Sequence, residues 1–66
     1  KSTSAAELLR TARLQAGMSQ SAVAELAKTS QSAIGMYEAG NREPSLPVLQ
    51  RLLAATGHQL SLSVLP

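Results

Sequence analysis

The 66-residue chain contains no cysteine and no aspartate, a single histidine, His58, and a single aromatic residue, Tyr37. Without cysteine, disulfides and thiolate metal sites are excluded, which suits a reducing cytoplasm. No metal-ligand spacing and no glycine-rich phosphate loop is present. The lone histidine follows a helix-stopping glycine, Gly57, where an exposed role is expected rather than a catalytic one. No enzyme activity, catalytic residue, cofactor, metal or small-molecule substrate is therefore expected. No apolar run is long enough to span a membrane, and no charged n-region leads into an apolar h-region, so neither a membrane partner nor a signal peptide is expected.

What is present is aliphatic. Hydrophobic residues make up 44% of the chain, enough for a core that leucine, alanine and valine must fill with almost no aromatic help. Small side chains let helices approach closely, which points to a compact helical bundle. The length allows one domain, and one this small is only marginally stable. The formal charge of +2 is mildly basic and compatible with nucleic acid. If DNA is the ligand, a monomer with so little positive charge neutralises few phosphates and binds weakly, so the composition leans toward a dimer.

Residues 1–3 read as a frayed start. Ser4 followed by Glu7 is a capping box opening a first helix. Ala5, Leu8, Leu9, Ala12 and Ala16 form its apolar stripe at helical spacing. Arg10 and Leu14 lie away from the stripe, Arg13 sits on its border, and Gly17 ends the helix. Ser19 caps a second helix over 20–27 with an apolar face of Val23, Ala24, Leu26 and Ala27. After Lys28 and Thr29, Ser30 caps a third helix over 31–38, and 39–42 form a turn. Pro44 and Ser45 announce a fourth helix, with Pro47 in its first turn and Leu46, Leu49, Leu52 and Leu53 as its inward stripe; Thr56–Gly57 stops it. Arg51, like Leu14, lies off the core stripes and suits either surface or interface. In the tail, Leu60, Leu62 and Val64 alternate with Gln59, Ser61 and Ser63, the period of a strand. A lone strand needs a pairing partner.

Two short helices joined by a tight turn are a helix-turn-helix, whose second helix enters the major groove of DNA. The third helix has the two faces this requires. Ala33, Ile34 and Tyr37 project to one side as a packing face; Gln31, Ser32, Gly35 and Met36 project to the other, which is polar, small and uncharged. An amide such as Gln31 can pair with adenine N6 and N7, a hydroxyl can meet several bases, and a thioether can lie against a thymine methyl. Gly35 permits close approach to the duplex.

The stretch from Met18 to Gly40, with Ser19, Gln20, Ala24, Ala27, Ser30, Gln31, Ile34 and Glu38 in register, resembles the Cro and phage-repressor (XRE) family, and Asn41–Leu46 resembles the family's lead into its fourth helix. The resemblance covers about residues 8–57. It implies an all-α, lambda-repressor-like domain of four or five helices over 1–57, binding double-stranded DNA in a bacterial or phage cytoplasm. It implies base contacts from Ser30, Gln31, Ser32 and Met36, phosphate contacts from Ser19, Gln20, Asn41 and Arg42, and a structural ion pair between Arg13 and Glu38. The remaining carboxylates, Glu7, Glu25 and Glu43, are left as cap, surface and loop. Lys28 departs from the family, which often has glycine there, and carries a left-handed backbone penalty of roughly 1 kcal/mol; Thr29 stands where an apolar residue is frequent. The tail, 58–66, resembles that of HipB-type antitoxin repressors, which implies a homodimer joined through Leu60, Leu62 and Val64 on an inverted-repeat operator. The rival reading is a protein-interaction module, an antitoxin whose main task is to bind a toxin.

Overall fold

The computed structural model describes residues 4–65; the expected frayed start at residues 1–3 and the last tail residue, Pro66, lie outside them. Four helices follow one another: α1 (Ala5–Gln15), α2 (Gln20–Ala27), α3 (Gln31–Glu38) and α4 (Leu46–Ala55). Each opens on a serine. Ser4, Ser19, Ser30 and Ser45 all have extended backbones, and each hydroxyl accepts a hydrogen bond from the backbone N–H three residues on. Such a cap typically contributes about 1 kcal/mol. Four of them matter in a chain whose helices are only 8 to 11 residues long, too short to persist alone in water.

The helix ends follow from the sequence too. Gly17 adopts φ +68°, the left-handed conformation that lets the chain turn after α1. Lys28 does the same work at the end of α2 with φ 58° and ψ 49°, and it is the one described residue other than glycine with positive φ. The expected strain of roughly 1 kcal/mol therefore sits inside the turn between α2 and α3. Thr29, half-buried, donates its N–H to Ala24 O at 2.9 Å and closes that turn.

α3 and α4 each pack against both α1 and α2. Leu9, Val23, Ala24, Ala27, Ile34 and Leu52 form the centre of the core, with Met18, Tyr37, Val48 and Ala55 around it. A second cluster of Ala12, Leu49 and Leu53 takes in Ala5 and Leu60. Three residues assigned to inward stripes depart from them. Leu26 is exposed, because the buried positions of α2 centre between Val23, Ala27 and Ala24 and Leu26 lies about 100° away around the helix. Leu46 is exposed because it is the first residue of α4, and side chains lean toward a helix's N-terminus, beyond the packed turns. Ala16 is the C-cap of α1 and solvent-exposed, so that helix's buried stripe ends at Ala12.

The tail does not form the expected strand within the single chain. Residues 58–65 carry no regular secondary structure; Leu60 is half-buried, while Leu62, Val64 and Leu65 are 68%, 98% and 83% exposed. A strand needs a ladder, and this chain offers no second strand among the described residues. The tail is nevertheless fastened at its start. The buried Thr56 hydroxyl donates to Leu53 O at 2.7 Å, and His58 meets Thr56 Oγ1 through Nδ1 at 3.0 Å and Gln15 Oε1 through Nε2 at 3.2 Å. His58 thus ties the end of α4 to α1, a role the sequence did not suggest.

Candidate nucleic-acid interface

The packing face of α3 is as expected: Ile34 is fully buried, Ala33 nearly so, and Tyr37 packs on the core. Once these are fixed, helical geometry dictates what faces out. Gln31, Ser32 and Met36 are all exposed, and Gly35 is half-buried. No ionic group lies on the outward surface between the two ends of the helix.

One edge of α3 is organised by a chain of side-chain contacts. Arg13, on α1, donates from Nε to Glu38 Oε2 at 2.6 Å and from Nη2 to Glu38 Oε1 at 2.8 Å, a bidentate pair. Its remaining nitrogen, Nη1, donates to Met18 O at 3.0 Å, across the loop between α1 and α2. Gln20, first residue of α2, donates to Glu38 Oε1 at 3.3 Å, and its own Oε1 accepts from Gln31 Nε2 at 2.9 Å. Gln31, Gly35 and Glu38 are spaced four and three residues apart and so share one side of α3; the Gln20 amide lies along that side. A β-carbon placed on Gly35 would sit 3.6 Å from Gln20 Oε1, an ordinary van der Waals contact.

The ion pair is largely shielded from water, with side chains 12% and 6% exposed for Arg13 and Glu38. The Arg13 hydrogen bonds hold the Glu38 carboxyl below the usual carboxylate range; burial opposes this, and the Gln20 hydrogen bond and the charges of Arg13 and Arg10 add to it. Arg13 is correspondingly raised, first by its hydrogen bonds to Glu38. Four groups from three helices thus fix the angle at which α3 stands on the rest of the domain. The family resemblance implied the Arg13–Glu38 pair but not the amide link to Gln31. The only available signal was that both glutamines open adjacent helices.

The other candidates lie around this edge. The hydroxyls of Ser19 and Ser30 accept from Ala22 N at 3.0 Å and Ala33 N at 3.1 Å, and among the described residues neither O–H has an acceptor, so each can donate to an incoming ligand. Asn41 and Arg42 lie in the loop after α3, beyond its C-cap Ala39 and Gly40, both exposed, with neither side chain hydrogen-bonded among the described residues. Asn41 N–H donates to Met36 O at 3.0 Å and anchors the loop to the helix. No described helix is long and apolar enough to cross a membrane.

These elements are the parts of a helix-turn-helix: a first helix presenting its N-terminus, a three-residue turn, and a second helix with one face docked and one face free. The sequence matches the helix-turn-helix family over residues 9–62, whereas no curated protein and no solved structure matches it significantly. The chain belongs to the helix-turn-helix family, in its XRE branch of DNA-binding transcription regulators.

Proposed function

We propose that the protein reads a specific double-stranded DNA sequence with α3 in the major groove, as a homodimer on an inverted repeat, and represses transcription, in the manner of an autoregulating antitoxin. The observation that carries this reading is the Gln20–Gln31 link. With one Nε2 hydrogen committed to Gln20, Gln31 retains its amide oxygen and a second N–H. Adenine offers a complementary pair in the major groove, an N6 donor beside an N7 acceptor. An amide already held in place loses less side-chain entropy on binding.

Ser30, Ser32, Gly35 and Met36 complete the reading face. Ser19, Gln20, Asn41 and Arg42 hold the phosphate strand, where the first backbone N–H groups of α2 favour an anion. Residues 1–57 serve as the reading domain and 58–66 as the dimerisation tail. Support for the second subunit comes from the tail's exposed Leu62, Val64 and Leu65, which follow directly on an open groove of about 480 Å³ between α1, Leu53 and residues 58–61. The same apolar tail is what a toxin partner would engage if protein binding were the main task.

Selection from a random duplex pool tests the reading. The expected product is an inverted repeat whose half-sites lie one helical turn apart, about 34–36 Å, or a multiple of it. No enriched sequence, together with binding insensitive to salt, would favour the protein-interaction module instead. Gly35→Ala adds a test of the docking geometry. The protein accepts the extra methyl, and replacing a mid-helix glycine gains about 0.5–1 kcal/mol, which raises the melting temperature by roughly 2–8 °C. Affinity for the selected duplex is expected to fall at the same time. Unchanged affinity in this stabler variant would show that α3 does not lie close against DNA.

A further inference from the structure

We infer that Arg10, on α1, is a phosphate-binding residue that grips the same DNA strand as Gln20. The inference rests on the reading above. Arg13 spends all three guanidinium nitrogens inside the protein, two on Glu38 and one on Met18 O. Both oxygens of Glu38 are in turn engaged, by Arg13 and Gln20. The carboxylate cancels one positive charge, and the three hydrogen bonds it accepts all come from Arg13 and Gln20, none from Arg10.

Arg10 stands one turn earlier on α1, and residues three apart on a helix are surface neighbours with β-carbons about 5–6 Å apart. Its guanidinium is near enough for its charge to act on Glu38, yet the only ion pair among the described residues is Arg13–Glu38. Glu7, one turn earlier still, is turned back to the N–H and hydroxyl of Ser4. Arg10 is exposed. Arg10 therefore adds a surplus positive charge near the Glu38 cluster, on a long side chain whose five donors have no partner among the described residues. A phosphate reaching the start of α2 meets that charge.

Binding of the full chain to its selected duplex and to an unrelated duplex, measured across a KCl series, tests this. Arg10→Gln is expected to weaken both complexes by the same factor and to lower the slope of log K against log [KCl] by about 0.9 per bound subunit. Arg10→Lys is expected to keep the slope. Arg51→Gln removes the same charge from α4 and is expected to keep it as well. An Arg10→Gln slope equal to the unmodified chain's overturns the inference and leaves the DNA-binding reading standing. Equal slope losses for Arg10→Gln and Arg51→Gln overturn it too, since net charge alone would then be responsible. If the unmodified chain binds neither duplex, both readings fall together.

Discussion

Glu38→Ala is expected to remove a large share of the domain's folding stability. Removing one partner of a shielded pair leaves the other charge uncompensated, at about 3–5 kcal/mol. A chain of 66 residues has a total stability of roughly 3–10 kcal/mol at 0.05–0.15 kcal/mol per residue. The pair is not a surface contact of the kind worth about 0–1 kcal/mol, because both side chains are shielded and the geometry is bidentate. Urea unfolding followed by far-ultraviolet circular dichroism measures the loss. Glu7→Ala, which removes half of an exposed capping box, sets the scale at about 1 kcal/mol or less. If Glu38→Ala lost no more than Glu7→Ala, the pair would not be the anchor of α3.

The same contact fixes a pH dependence. The Glu38 carboxyl titrates lower in the folded chain than in the unfolded one, so its contribution is fully present above the ordinary carboxylate pKa, about 4.3. As pH falls below that value the unfolded state takes up the proton first, and stability declines until the folded-state pKa is passed. Arg13, raised from an already high value, loses its proton only in strong alkali and adds nothing to the acid limb. Glu38→Gln is expected to be less stable at neutral pH and to show a shallower decline in acid.

Gln31→Ala is expected to lower affinity for the selected duplex by about 1–3 kcal/mol per half-site, the discrimination a good bidentate base contact supplies. That is roughly one to two orders of magnitude in Kd. The effect should be confined to duplexes carrying the preferred base at one step, with binding to unrelated sequences nearly unchanged. Arg42→Ala is expected to do the opposite, weakening every duplex alike and flattening the salt dependence. Titrating each variant with preferred, singly substituted and unrelated duplexes separates the two patterns. Matching behaviour would remove the division between residues that read bases and residues that hold phosphates. Folding is not at stake in either case, since Arg42 has no side-chain hydrogen bond among the described residues and Gln31 loses one exposed bond.

Much of this was legible in the sequence because its local signals agree with one another. Serines at 4, 19, 30 and 45 marked the helix starts, and glycine at 17 marked a helix end. The buried side of α3 was legible because Ala33, Ile34 and Tyr37 recur at helical spacing. Leu26 and Leu46 misled, since leucine at roughly the right spacing does not say where the neighbouring helices stop. The Gln20–Gln31 and His58–Gln15 contacts join residues 11 and 43 positions apart, and no periodicity encodes a meeting that depends on how helices cross. The tail had a strand's alternation without a strand's partner, so its pattern describes a requirement that one chain does not meet.

Tyr37 gives the protein a built-in optical reporter. With no tryptophan and no phenylalanine, it is the sole strong chromophore above 270 nm, and it belongs to α3. Its ring packs on the core formed by Leu9, Ile34 and Leu52. Intrinsic fluorescence and near-ultraviolet dichroism therefore arise from one site, on the inner side of the helix proposed to read DNA. Loosening of that helix can be watched without a label and told apart from melting elsewhere.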